Sequence, residues 1–432
     1  MTKQKRLSPG KLIAVGFLTV ILVGSILLYL PAAHSGEVVV TYLDALFTSV
    51  SAVCVTGLVT LETGIAYSAF GQVVIILLIQ IGGLGITTLG AGLIALLGGR
   101  LNQRENTLVK EALNYPTWNG IKPLIRAVLI LDISIELLGA VLYFISFIRE
   151  YPLGRAVWMS VFHSISAFNN AGFDILGRGN SIGDYTYDVY FNLVTCLMII
   201  LGGLGFFVIR ELLLHRRGER FSLHTKIVLA MTSTLLVGGT LILKLIEGSS
   251  ITWLGAFFSS VTARTAGFAT FPYSGFSNAG IIVMCVLMFI GASPGSTGGG
   301  MKTTTLFALI KSLISHSTGR ESRAFGRRVP ADIMQRAFVI ISLGFSWTLI
   351  VTCAISAFEP TLPLRDVMFE CFSAIGTVGL STGITPLLTV PSRIVIMLTM
   401  YIGRLGPLTV ATLWARSKAS GVSVPEEQFP IG

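Results

Sequence analysis

Four glycines in this chain are placed to do ion chemistry. Gly57, Gly172, Gly267 and Gly379 each follow a phenylalanine (Phe47, Phe162, Phe257, Phe369) by ten residues in a closely similar setting. The stretches read LFTSVSAVCVTGL (46–58), VFHSISAFNNAGF (161–173), FFSSVTARTAGF (257–268) and MFECFSAIGTVGL (368–380). A dehydrated cation needs fixed oxygens in place of its water shell, and backbone carbonyls supply them without adding charge. Aiming successive carbonyls at one axis requires left-handed backbone angles at intervals, which glycine adopts without steric cost. One such glycine reads as an ordinary turn; four in register read as the turns of one carbonyl-lined filter. Counting back from the glycines gives three further layers: Cys54, Asn169, Arg264 and Gly376; Val55, Asn170, Thr265 and Thr377; Thr56, Ala171, Ala266 and Val378. Side chains differ within every layer except the glycine one, as expected where the ion meets main-chain oxygens and the side chains pack behind.

The elements that must hold these glycines are legible in the hydropathy. Of the 432 residues 53% are hydrophobic and only 12% charged, with mean hydropathy +0.78. A soluble protein would have about 25% charged residues, so the chain belongs in a bilayer. Apolar runs near the roughly 20 residues a spanning helix needs fall at 11–30, 70–98, 123–148, 188–214, 226–246, 277–314 (interrupted), 333–357 and 392–415. Each glycine stretch lies between an odd and an even run and is preceded by a hydroxyl-rich segment of about 12 residues, too short to cross. It reads as a re-entrant helix, tolerated only where its irregular end faces protein or water. Such a helix also aims the negative end of its dipole at the filter. The expected fold is an all-α membrane protein of four helix–pore-loop–helix repeats around one central pore, with eight transmembrane helices and four re-entrant pore helices. The repeats divide as 1–110, 111–222, 223–325 with a broken second helix, and 326–432 with the C-terminal tail.

Charge gives the orientation. Lys3, Lys5, Arg6 and Lys11 precede the first run, which is too long and too poorly followed by small residues for a cleaved signal peptide. Arg100, Arg104, Lys110 and Lys122, then Arg216, Arg217, Arg220 and Lys226, then Arg320, Arg323, Arg327 and Arg328 follow the even-numbered runs. The positive-inside rule makes these segments and both termini cytoplasmic. The opposite connections carry Glu37, Asp44, Asp174, Asp184, Asp188, Glu359 and Asp366. The net charge of +10 therefore reports topology, and bases spread over five segments do not make a nucleic-acid surface. The five cysteines and five histidines show no metal-ligand spacing, and no nucleophile, base or carboxylate pair recurs at the repeated site, so no enzyme activity or cofactor is expected.

A second glycine set follows the first: IGGLG (81–85), LGGLG (201–205), IGASPGSTGGGMK (290–302) and IGRLG (402–406). Three are compatible with a bent or closely packed helix. The third holds Pro294 and five glycines, which no continuous helix tolerates cheaply, so it breaks at membrane depth and lines the pore below the filter. Its residues Gly291, Ala292, Ser293, Pro294, Gly295, Ser296, Thr297, Gly298, Gly299 and Gly300, with Lys302 below them, are the candidate gate. GSTGGGMKT (295–303) only resembles a phosphate-binding loop, because Met301 interrupts the motif before Lys302 and no strand precedes it.

These residues together resemble the Trk/Ktr/HKT superfamily of potassium transporters over about 11–415. The start of the chain at the first repeat is similar to the Ktr membrane subunit more than to the Trk form, which carries two extra N-terminal helices. The resemblance implies a bacterial cytoplasmic membrane, K+ as the transported ion, Na+ as a candidate activator, and an intramembrane gating loop at 292–300. It also implies a homodimer, with the tail 421–432 as a candidate dimer contact, and a cytosolic nucleotide-binding ring subunit docked on the basic inner loops. Glycine at all four filter positions fits the potassium-selective members. Arg404 stands where the other repeats have Gly83, Gly203 and Ala292, and the family assigns the matching arginine to gating. A mid-span guanidinium costs about 2.5–3.5 kcal/mol or more unless it meets water or a partner; a clamp on the broken helix and a positive barrier to cations both fit. Arg264 is expected to point away from the axis toward Glu370. Lys302 is either a gate contact or a snorkelling cation. Asp132 and Glu136 read as a buried structural pair with Arg126 or hydroxyls, a proton relay being the alternative. The competing function is an alternating-access cation carrier, which also uses repeats and broken helices.

Overall fold

Hydroxyl residues, proline and glycine set the ends of the helices. The structure, a computed structural model, describes residues 9–85, 88–89, 121–177, 179–215 and 219–412. Lys3, Lys5, Arg6, Arg100, Arg104, Lys110, Arg216, Arg217, the side chain of Lys122 and the tail 421–432 lie outside the described residues. Helices α1 (Pro9–Tyr29), α2 (Tyr42–Val53) and α3 (Ala69–Leu84) come first. Then follow α4 (Ile121–Phe147), α5 (Leu153–Phe168), α6 (Val189–Leu204) and α7 (Phe206–Leu214). Next are α8 (Leu223–Glu247), α9 (Trp253–Thr262), α10 (Asn278–Phe289) and α11 (Thr303–Thr318). Last come α12 (Ala331–Phe358), α13 (Leu364–Gly376), α14 (Val390–Leu405) and α15 (Pro407–Thr412). A ribbon of β1 (Arg323–Ala324) and β2 (Arg327–Arg328) interrupts the helical pattern after α11.

Caps explain the starts. Thr41 closes a capping box with Asp44 at α2, and Ser68, Asp188, Ser222, Thr252 and Ser277 accept from the first turns of α3, α6, α8, α9 and α10. Each of these satisfies an orphan N–H that would otherwise be buried unpaired. Two glutamates add ties between helices. Glu247 at the end of α8 accepts from Ser277 Oγ at 2.7 Å, and Glu359 accepts from Thr389 N, Thr389 Oγ1 and Ser392 Oγ at 2.6–2.7 Å at the start of α14.

Gly10–Tyr29, Ile125–Phe147, Leu223–Ser250 and Ala331–Phe358 are each long and apolar enough to cross a bilayer. Their outer faces carry exposed Leu22, Ile26, Leu137, Val141, Leu245 and Ile350, the reverse of what water would select. Between them α3, α6 and α14 have 16 residues each, about 24 Å at 1.5 Å per residue. In sequence the stretches 81–85, 201–205 and 402–406 are compatible with a bent or closely packed helix. Instead each helix stops at the last glycine of its motif, where Gly85, Gly205 and Gly406 have φ of 80°, 92° and 86°. The run 188–214 accordingly turns by 100° between α6 and α7. The third run breaks as expected, leaving 290–302 irregular between α10 and α11.

Candidate ion-binding site

The short helices α2, α5, α9 and α13 pack a fully buried phenylalanine each: Phe47, Phe162, Phe258 and Phe369. The third is Phe258, not Phe257, which is only partly buried. The reason lies at the other end of α9. Ser51, Ser166 and Ser373 stand six residues before their glycines, and their carbonyls accept from Thr56, Ala171 and Val378 N at 2.8 Å. Thr262 stands five before Gly267 and accepts from Ala266 N at 3.0 Å, so the third loop is one residue shorter. The same hydroxyls brace the loops. Ser51 and Ser373 Oγ accept from Gly57 and Gly379 N at 3.0 Å, whereas Ser166 and Thr262 donate to Phe173 and Phe268 O at 2.7 Å. Sequence reasoning missed these four, although a hydroxyl followed by Ala recurs in all four stretches.

Beyond the helices the loops share one backbone. Val55, Asn170, Thr265 and Thr377 have φ of 54°, 56°, 75° and 50°, and Gly57, Gly172, Gly267 and Gly379 have 96°, 70°, 82° and 93°. Left-handed backbone at a valine or threonine is strained and persists only where surroundings enforce it. The glycines close a ring. A Cβ on Gly57 would meet Ala171 O at 2.5 Å, on Gly172 Ala266 O at 2.6 Å, on Gly267 Val378 O at 2.5 Å, and on Gly379 Thr56 O at 2.0 Å. Each loop thus abuts the next, and the fourth returns to the first. Cys54, Val55, Thr56, Asn169, Asn170, Ala171, Arg264, Thr265, Ala266, Thr377 and Val378 are all buried, with Gly376 at the end of α13.

On one side of the ring an open cavity of about 850 Å³ is lined by all four glycines. On the other, the irregular loop sits directly against the glycine loops. A Cβ on Gly298 would reach Thr265 Oγ1 and one on Gly299 would reach Thr377 Oγ1, both at 2.2 Å. The freed backbone of this loop finds partners as burial demands. Gly291 N donates to Met301 O at 2.8 Å, Ala292 N to Gly299 O at 3.3 Å, Ser293 N to Gly203 O at 3.0 Å, and Phe206 N to Gly295 O at 2.9 Å. Pro294 O lies against Gly205, Ser296 Oγ donates to Ser293 O at 2.6 Å, and Thr297 Oγ1 donates to Phe168 O at 2.9 Å. Lys302 Nζ donates to Gly298 O at 2.8 Å, a loop contact and not a snorkelling cation. Arg404 Nη1 donates to Thr297 O at 2.7 Å, and its Nη2 to Gly83 O at 3.1 Å and to Gly82 O. A second cavity, about 320 Å³, is lined by Gly298, Gly299, Gly300, Lys302 and Arg404.

Two expected pairings do not form. Arg264 Nη2 reaches Gly291 O at 3.4 Å, while Glu370 accepts from Thr385 Oγ1; the guanidinium meets a main-chain carbonyl of the broken stretch 290–302, and the carboxyl is engaged by a hydroxyl that follows its own loop. The carboxylates of Asp132 and Glu136 meet neither Arg126, which is exposed, nor a hydroxyl, but the amides of Gln80 and Asn169; Ser164 Oγ donates only to the main-chain O of Glu136, at 2.5 Å. Among the described residues no three His, Cys, Asp or Glu side chains gather as metal ligands.

The geometry can be set beside known proteins. A family model described as TrkH, cation transport protein, matches residues 12–247 and 221–424. The chain is 39% identical to the potassium/sodium uptake protein NtpJ of Enterococcus hirae, covering 99% of this chain and 98% of that protein. It is 36% identical to the Ktr system potassium uptake protein B of Bacillus subtilis, covering 100% and 98%, and 35% identical to its namesake in Vibrio alginolyticus, covering 98% and 94%. The crystal structure of the potassium transporter TrkH from Vibrio parahaemolyticus has the same fold, with TM-score 0.75 at 18% identity over 96% of this chain and 86% of that one. With its apolar outer faces, the chain is a multi-pass membrane protein, and it belongs to the TrkH family of cation transport proteins.

Proposed function

We propose that the protein conducts potassium into a bacterial cell through the ring of four loops, one pore per chain. The observation that carries this reading is the ring itself: four left-handed loops, each abutting the next, with cavities on both sides. The main-chain oxygens of 54–57, 169–172, 264–267 and 376–379 serve as the selectivity filter, where K+ exchanges its hydration shell for carbonyls. The loop 291–300, with Lys302 and Arg404, is the gate, since it stands between filter and inner cavity and is held by hydrogen bonds that can break singly. The names of the relatives support potassium as the ion and, through NtpJ, admit Na+ as activator or substrate.

In this reading the chain crosses the cytoplasmic membrane eight times with four re-entrant helices, both termini inside, in units 1–110, 111–222, 223–325 and 326–432. It acts as the membrane subunit of a Ktr-type system, as a homodimer on a cytosolic nucleotide-binding ring. The test is rubidium uptake into vesicles holding the purified protein, with K+ or Na+ as competitor. Uptake that follows the electrochemical gradient and is blocked by K+ more than by Na+ is expected. Gly57→Ser, Gly172→Ser, Gly267→Ser and Gly379→Ser should each weaken that preference. Preference unchanged in all four, or slow obligatory exchange typical of an alternating-access carrier, would refute it.

A further inference from the structure

Beside the ring, one pair of ionisable groups takes no part in the conduction path proposed above. Asp132 and Glu136 stand one turn apart on α4, and both are buried. Gln80 Nε2, from α3, donates to Asp132 Oδ2 at 2.5 Å. Asn169 Nδ2, from the end of α5, donates to Glu136 Oε1 at 2.8 Å, to Gln80 Oε1 at 3.0 Å and to Ile165 O at 3.0 Å. Asp132 Oδ1, with Asp132 itself fully buried, has no hydrogen-bond partner among the described residues.

No described cation faces the pair. Helix α3 has no titratable side chain. Helix α5 carries Arg155, near its start, and His163, caged by Tyr143, Phe147 and Phe268; α6 carries Tyr190 and Cys196, neither bonded to the pair. On α4 itself Arg126 is exposed and Tyr143 bonds Thr195. Two negative charges would therefore be held at this depth by the neutral amides of Gln80 and Asn169, with no described side-chain cation beside them. The hydrogen bonds instead fit one carboxylate and one carboxylic acid. Glu136 accepts from Asn169 as a carboxylate does, and a proton on the free Asp132 Oδ1 leaves Oδ2 to accept from Gln80.

We propose that Asp132 and Glu136 form a proton-binding site within the membrane, in which Asp132 Oδ1 takes a proton from water and the charge of the pair acts on the second filter loop through Asn169. Asn169 is the C-cap of α5, and the next residue, Asn170, begins the left-handed loop. One side-chain amide thus joins the carboxyl pair to the filter. Loss of the proton adds a charge beside that amide, tightens its bonds to Glu136 and Gln80 and pulls on the cap. The site stands apart from the transport reading; only its effect on flux rests on it.

Infrared spectroscopy of the purified protein in lipid tests the site without transport. A protonated-carboxyl C=O band that shifts in heavy water is expected at neutral pH and should be lost in Asp132→Asn. Glu136→Gln keeps an acceptor for Asn169 but removes the neighbouring charge, so it should shift the alkaline loss of the band to lower pH. An identical carboxyl region in the wild type and both variants overturns the site; so does a wild type with no such band, even if neither variant assembles. Rubidium uptake then tests the link: it should change as pH rises in the wild type and stay flat in Asp132→Asn. An unaltered pH profile in folded Asp132→Asn overturns the coupling while leaving the infrared result to decide the site.

Discussion

The closest approach in the glycine ring is at Gly379, where a Cβ would lie 2.0 Å from Thr56 O, against 2.5–2.6 Å at the other three. A carbonyl in a braced loop cannot swing aside as a side-chain tip can, and the left-handed backbone adds about 1–2 kcal/mol for any side chain. Gly379→Ala should therefore cut rubidium uptake most, by about tenfold or more for each 1.4 kcal/mol lost; equal losses at all four positions would show that the ring is more compliant than its contacts imply. Arg404 poses the opposite case, because its three bonds join α14 to α3 and to the loop at Thr297. Arg404→Ala should raise uptake, and Arg404→Lys should behave more like Ala, since an ammonium lacks the fork that reaches both partners. Wild-type uptake in both variants would remove Arg404 from the gate. The glycines were legible in the sequence because they recur. Phe258 was not, because a single residue missing between Thr262 and Gly267 displaces the register by one, and the partner of Arg264 was not, because Gly291 O is a backbone atom with no letter of its own.

Among the elements, the second helices depend most on single positions. The break at 290–302 could be read from Pro294 and its glycines, whereas those at Gly85, Gly205 and Gly406 could not. A glycine in an apolar run is compatible with a helix, and only its φ reveals the stop. Gly205 is the most consequential, because the turn from α6 to α7 seats the loop: Ser293, Thr297 and Phe206 N bond across it at 2.9–3.3 Å. A Cβ there would lie 2.8 Å from Pro294 O at a φ of 92°. Gly205→Ala should unseat the loop, raising rubidium leak and lowering the thermal midpoint. Gly238, inside α8 with nothing within 4 Å of its Cβ position, is the control: Gly238→Ala should hold flux constant and stabilise by about 0.5–1 kcal/mol. A leak in both, or in neither, would mean that the glycine break does not hold the loop.

At the scale of the molecule, the ring must be closed by struts between neighbouring units. Trp158 Nε1 donates to Gln72 Oε1 at 2.7 Å, Thr186 Oγ1 to Thr270 O at 2.6 Å and Arg365 Nη2 to Ser274 O at 2.7 Å. The fourth strut joins the ends of the chain: Arg393 Nη1 meets Asp44 Oδ1 at 3.0 Å, 349 residues apart. Such a contact forms only after a loop that spans most of the chain has closed, and composition does not reveal it. Asp44 is also bound by Thr60 Oγ1 at 2.8 Å and by Thr41 in the cap of α2, and its side chain is only 8% exposed. Arg393→Ala would leave this carboxylate buried without its counter-charge, at a cost of about 1–3 kcal/mol, below the usual range for a deeply buried pair because Arg393 is partly solvated. Arg365→Ala removes only bonds to neutral groups and an ion pair to a neighbour in sequence, so it should lower the thermal midpoint less. Asp44→Asn keeps an acceptor for Thr60 while removing the stranded charge, so adding it to Arg393→Ala should recover part of the loss. A double variant whose loss equals or exceeds the sum of the single losses would mean that Arg393 holds α14 through Leu388 and Pro386 O alone, and that the ring does not depend on this ion pair for closure.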